Sequence, residues 1–210
     1  MKKLLVCMAM LCLCLSAFSV PSVDAQTPET DVYIVQPGDS LWKIAQRYQV
    51  GLSEIIQANP QFRNPALIYP GNKVTIPLVP RQVLSIEEQV IQMVNAERAK
   101  AGLRPLANNW QLSRVARIKS QDMRDRRYFS HISPTYGSPF DMMRAFNISY
   151  HAAGENIAAG QRTAAQVMQG WMNSPGHRQN ILNPQYTQIG VGYVEGGAYG
   201  VYWTQMFIRP

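Results

Sequence analysis

Residues Ile189 to Ile208 read IGVGYVEGGAYGVYWTQMFI. Apolar positions alternate on both sides of Gly196-Gly197, the pattern of two strands joined by a glycine turn. Sheet is therefore required at the C-terminal end of the chain. Upstream the period changes from two to that of a helix: Ile86, Val90, Met93 and Val94 share one face, Leu112, Val115, Ala116 and Met123 a second, and Ala164, Val167, Met168 and Trp171 a third. Ser85 with Glu88, and Thr163 with Gln166, have the form of capping boxes at two helix starts. This half is α+β. Between its elements lie YFSHISPTYGSPFDMM, Tyr128 to Met143, and AGENIAAG, Ala153 to Gly160. Both read as long loops of small residues, which often carry function on a rigid scaffold.

Further upstream, PLVPRQVL from Pro77 to Leu84 lacks helical period and is punctuated by prolines, so residues 78–84 read as a linker. Ahead of it, VYIV alternates as a strand and QPGDS turns, after which Leu41, Ile44, Ala45 and Tyr48 recur at helical spacing. Leu52, Ile55 and Ile56 repeat that spacing until Asn59-Pro60 stops it, and KVTIP closes as a strand. Strand, helix, helix, strand over residues 32–77 makes a compact unit with one small core.

The first residues, MKKLLVCMAMLCLCLSAFSV, carry two lysines and a short apolar run, then a polar stretch ending SVDA. The expectation is a secretory signal peptide over residues 1–25, cut after Ala25, with an uncleaved membrane anchor as the alternative. Cleavage removes Cys7, Cys12 and Cys14, the chain's three cysteines, and leaves 185 of the 210 residues. Such a chain has no disulfides and depends on its cores. It keeps 18 basic and 12 acidic side chains, a net charge of +6, suited to acidic polymers such as a bacterial wall and also to simple solubility.

The segment YIVQPGDSLWKIAQRYQVGLSEIIQANPQFRNPALIYPGNKVTIP resembles a LysM domain over its whole length, with the PGDSL turn, the ANP stop and the closing LIYPGNKVTIP in the family's order. The resemblance implies a βααβ fold that binds N-acetylglucosamine-containing glycan, hence peptidoglycan or chitin. The implied glycan-binding residues are Gly38, Asp39, Ser40 and Leu41 after the first strand, facing Leu67, Ile68, Tyr69 and Pro70 before the last. Backbone amides at a glycine turn suit an acetamido carbonyl, and Ile68 and Tyr69 offer apolar surface to a sugar.

His131, Glu155 and His177 are the residues of the second half that invite a chemical reading, since imidazoles bind divalent metals and a carboxylate can ligate or deprotonate water. Their separations match no local metal motif. From Ser85 onward, however, VNAERAKAGLRPL, YFSHISPTYGSPFDMM, AGENIAAG, GWMNSPGHRQNIL and IGVGYVEGGAYGVYWTQMF resemble, in order and spacing, the CAP superfamily of SCP-like extracellular proteins. That resemblance implies an α-β-α sandwich over residues 85–210 whose cleft gathers His131, Glu155 and His177. The Pro175-Gly176 break would present His177 to it.

Many eukaryotic members carry a second acidic residue where Ser174 stands here. Two imidazoles and one carboxylate remain, with a divalent metal such as zinc expected on His131 and His177 only if water completes the site. Ser130 lacks an activating base, His151 reads as incidental, and the acidic residues interrupting the arginines of DMRDRRYF argue against nucleic acid.

Two functions follow. One is a wall-anchored binding or assembly protein in the cell wall or spore envelope, because the LysM half is similar to those of spore-coat assembly proteins. Its partners would be peptidoglycan glycan and envelope or coat proteins. The other is a metal-assisted hydrolase of wall or peptide bonds with Glu155 as general base. The missing acid and the absence of an activated nucleophile favour the first.

Overall fold

The computed structural model describes residues 29–210, so the leader expected over residues 1–25 lies outside the described residues. The N-terminal unit is built of β1 (Thr30–Ile34), α1 (Leu41–Tyr48), α2 (Leu52–Ala58) and β2 (Lys73–Pro77), with the two strands antiparallel. Val35, Leu41, Ile44, Ala45, Val50, Ile55, Val74 and Ile76 form its core. The Asn59 stop has a second task. Buried behind α2, its side chain donates to Ile55 O and Thr75 O and accepts from Thr75 N, so the residue that ends the helix also fastens it to β2.

The C-terminal unit contains α3 (Arg81–Lys100), β3 (Ala107–Asn108), α4 (Trp110–Asp125), α5 (Pro139–Ala145), β4 (Ala152–Ala159), α6 (Ala164–Asn173), α7 (Pro175–Ile181), β5 (Gln188–Glu195) and β6 (Val201–Arg209). Its sheet has the order β3-β5-β6-β4, antiparallel except for the short β3–β5 pairing. Alternate residues point to opposite faces. Ile189, Val191, Trp203 and Phe207 pack with Val90 and Val94 of α3 and Val167 and Trp171 of α6, while Met206 and Ile208 pack with Leu112, Val115 and Ala116 of α4. The result is an α-β-α sandwich within an α+β chain.

Glycines make the α4 layer thin. A Cβ on Gly190 would lie 2.3 Å from Ser113 N, and one on Gly192 would lie 2.2 Å from the carbonyl carbon of Ala116. The helix therefore rests on bare strand backbone, and IGVGYV alternates glycine toward α4 with large side chains toward α3.

Four sequence expectations change. AGENIAAG is strand β4 rather than a loop; its small residues hide the alternation, and pairing with β6 supplies what its own pattern does not show. The long loop from Tyr128 ends in helix α5, which Ser138 and Asp141 cap reciprocally. Helix α3 begins at Arg81, inside the segment read as a linker, because Pro80 occupies the cap position with its fixed φ; Ser85 lies within the helix and caps nothing. At α6 only half of the expected box forms. Thr163 accepts from Gln166 N, but the Gln166 side chain accepts from Arg162 N.

Candidate functional site

In the N-terminal unit the two loops expected to hold glycan are joined through backbone. Gly71 N donates to Val35 O and Val35 N to Asn72 O, at 2.9 and 3.0 Å. Leu67 and Tyr69 are 56% and 63% exposed, Pro70 is exposed, and Ile68 is half-buried against the core. Those side chains line the outside of one loop.

The opposite loop is more internal than its sequence suggested. Leu41 is a core residue. Ser40 Oγ accepts from Lys43 N and caps α1, and Gly38 holds a left-handed φ of 83° with its carbonyl accepting from Lys43 Nζ. Asp39 Oδ2 accepts from Tyr33 Oη at 2.7 Å and Gln36 N at 2.9 Å; these bonds, Tyr33 foremost, hold its carboxyl below the usual range. What this loop offers a ligand is chiefly backbone. Trp42, 58% exposed on the first turn of α1, is an apolar surface residue that the sequence reading missed.

In the C-terminal unit the site forms along β4, the last strand of the sheet. On its outer edge, the carbonyls of Ala153, Glu155 and Ile157 accept from Tyr186 Oη, Asn180 Nδ2 and Trp171 Nε1. Side chains from α6, α7 and the following loop thus satisfy an edge that would otherwise be open. Gly154 permits this approach, since a Cβ there would lie 2.5 Å from Tyr186 Oη. His177 sits in the first turn of α7; the break expected at Pro175-Gly176 falls instead at Ser174, and those two residues open the helix.

Glu155 points to the α4 side of the sheet and is 6% exposed. Its Oε1 accepts from His131 Nδ1 at 2.7 Å. The bond fixes the tautomer: with Nδ1 donating to a carboxylate, Nε2 of a neutral ring keeps its lone pair. Burial first, then the influence of His131, lowers the pKa of His177 below the ordinary 6.5. Glu155 Oε2 is buried with no hydrogen-bond partner among the described residues.

The loop bearing His131 is held by two α4 side chains that no sequence pattern singles out. Lys119, fully buried, donates to Tyr128 Oη, Ser130 O and His131 O, using all three ammonium protons. Burial lowers its pKa, against the raising effects of Glu155 and Asp122. One turn on, Asp122 accepts from Ser133, Thr135 and Tyr128 hydroxyls. Burial pushes its carboxyl up, but these hydroxyls outweigh it and leave the group below its usual value. A lysine and an aspartate amid helical charges look like solvated surface in sequence; only the fold turns them inward.

His131 and Glu155 are thus brought together, and α7 sets His177 beside β4, where its carbonyl accepts from Asn156 Nδ2. Ser130 Oγ only accepts from Ile132 N, and His151 is exposed ahead of β4. Ser174 joins α6 to α7 as a cap residue. As a metal centre the donors fall short: Glu155 is engaged with His131 Nδ1, and among the described residues no group of three or more His, Cys, Asp or Glu is placed to hold an ion. The three-ligand arrangement of catalytic zinc is not made by these residues.

Residues 91–207, more than half of the chain, match the model of the cysteine-rich secretory protein family, CAP. The chain belongs to the CAP family. Residues 33–77 match the LysM domain. Over 129 residues this CAP protein is 60% identical to the protein YkwD of Bacillus subtilis (strain 168), covering 61% of this chain and 49% of YkwD. Over 46 residues it is 52% identical to SpoIVD-associated factor A of the same organism, covering 22% of this chain and 12% of that protein. An extracellular protein containing an SCP domain from Bacillus anthracis superposes with a TM-score of 0.56 at 40% identity, over 67% of this chain and 47% of that one. This CAP protein spans half or less of the length of these relatives.

Proposed function

We propose that this CAP protein is a secreted protein of the cell wall or spore envelope, with a leader over residues 1–25, a LysM unit over 32–77 that binds N-acetylglucosamine-containing glycan of peptidoglycan, and a CAP cleft that holds a ligand or partner without turnover. The reading is carried by the cleft's chemistry. Glu155 orients His131 through Nδ1 and retains one buried acceptor, which suits recognition of a hydrogen-bond donor, and no activated nucleophile stands beside it. The exposed Leu67 and Tyr69, set on a loop bonded to the strand-end turn, support glycan contact by the LysM unit. Likeness to SpoIVD-associated factor A, and to a spore coat assembly protein of Bacillus cereus, supports a spore setting. Among the described residues no helix is long and apolar enough to cross a membrane.

The test incubates the leaderless chain and its Glu155→Gln variant with purified peptidoglycan. Both proteins are expected in the pellet, with no soluble fragments detected by chromatography and mass spectrometry. Fragments released by the parent alone would replace this reading with the hydrolase; failure to sediment would remove the glycan-binding role. Deleting residues 32–77 should release the protein from wall material.

A further inference from the structure

Glu155 and His177 reach the cleft from different elements, a strand and a short helix, so something must hold those elements in register. Asn156 follows Glu155 on β4 and therefore points to the opposite face of the sheet, where it is fully buried. Its Nδ2 donates to His177 O at 3.1 Å and to Gln205 Oε1 at 2.9 Å. Asn180 lies three residues beyond His177 on α7, and its Nδ2 donates to Glu155 O at 3.2 Å and to Asn156 Oδ1 at 2.8 Å.

The pattern is reciprocal. Beside each cleft residue stands an asparagine, and each asparagine holds the backbone carbonyl of the other cleft residue; the two asparagines also bond to each other. Gln205 is buried in the middle of an otherwise mostly apolar β6, and its Nε2 has no partner among the described residues. Burying an amide with one end unsatisfied is unfavourable, so its retained Oε1 bond to Asn156 must serve the clamp. Helix α7 needs such a hold, because it is only seven residues long and its Ser174 cap makes no side-chain bond.

We propose that Asn156 and Asn180, backed by Gln205, are positioning residues forming a reciprocal clamp that holds α7, and with it His177, against β4 where Glu155 pairs with His131. The clamp is buried at Asn156 and Gln205 and half-buried at Asn180, and it leaves the side chains of His131, Glu155 and His177 free for a ligand. This rests on the reading of His131, Glu155 and His177 as one cleft.

The experiment uses the full chain without its leader, labelled with 13C at histidine. In the parent, a nuclear Overhauser cross-peak should join the His131 and His177 rings. In Asn156→Leu and Asn180→Ala that cross-peak should weaken strongly, and amide exchange in α7 should accelerate about tenfold relative to α6, as expected for loss of a buried hydrogen bond. The double variant should be no worse than the more damaging single one, because the asparagines act as a unit. An unchanged cross-peak and exchange rate in a folded variant, or additive effects, would overturn the clamp. If Asn156→Leu does not fold, the half-exposed Asn180→Ala decides alone. A parent without the cross-peak would instead remove the single-cleft reading itself. These readouts do not involve a ligand, so failure of the proposed function in the peptidoglycan test would leave the clamp standing.

Discussion

Glu87 lies on α3, 3% exposed, where Oε2 accepts from Arg117 Nη1 of α4 at 2.7 Å and Oε1 from Tyr193 N of β5 at 3.1 Å. Burial pushes its carboxyl from 4.5 up to about 7, and the Arg117 charge and the Tyr193 amide counter only part of that. Because the folded value is raised above the unfolded one, the group's contribution to stability is fully present below pH 4.5 and is lost as pH rises through about 7. A rise of this size corresponds to about 3 kcal/mol, a large share of a typical domain's roughly 5–15 kcal/mol. Glu87→Gln keeps the shape of the protonated carboxyl and cannot ionise. Urea denaturation of both proteins between about pH 4 and about pH 8 should therefore show the stability difference moving in the variant's favour by about 3 kcal/mol with rising pH. A difference that stays flat would mean that the Arg117 pair, not burial, governs this carboxyl, and would refute the reasoning.

Other perturbations separate packing from recognition. Gly192→Val drives side-chain atoms into the α4 backbone, where even a Cβ would sit 2.2 Å from Ala116, and should cost at least about 3 kcal/mol in thermal or urea melts, or prevent folding. Leu41→Ala should destabilise the LysM unit by about 2–5 kcal/mol, whereas Tyr69→Ala should leave its melting unchanged and weaken peptidoglycan sedimentation. Arg114→Ala removes a bidentate bond to Glu54 across the two units; since Glu54 is 36% exposed, solvent screening limits the loss to about 1 kcal/mol, read as separation of the two units' melting transitions. Lys119→Met should raise amide exchange and protease nicking over residues 128–135, where three hydrogen bonds disappear.

The elements with strong period were legible from sequence. Apolar residues at helical spacing in α1, α4 and α6 do face cores, as do Ile86, Val90 and Val94 of α3, though Met93 on that expected face is 37% exposed; the two alternating runs around Gly196-Gly197 are β5 and β6. Period carries that information because one face must be buried. It fails for β4, whose alanines and glycines give neither face a signature, and for the start of α3, where Pro80 caps a helix that local residues extend without an apolar stripe. The three cleft residues stood out by their chemistry and by resemblance. Lys119, Asp122, Asn156 and Asn180 did not, because an interior lysine or asparagine is distinguished from a surface one only by partners distant in sequence.

Helix α4 joins these observations. Its Leu112, Val115, Ala116 and Met123 lie against the sheet, which leaves its polar residues to look in other directions. Arg114 grips Glu54 and Ser53 of α2 and lies 5.1 Å from the centre of the Phe146 ring. Gly51 makes room for that grip, since a Cβ there would lie 2.2 Å from Arg114 Nε. Farther along, Arg117 holds Glu87, and Lys119 and Asp122 hold the His131 loop. Only three residues, 78–80, separate β2 from α3, too few for a slack tether at about 3.5 Å each. The LysM unit is therefore seated on the same helix that shapes the cleft. A glycan strand held by the one unit would lie near the other, because three residues and the Arg114 contact join them.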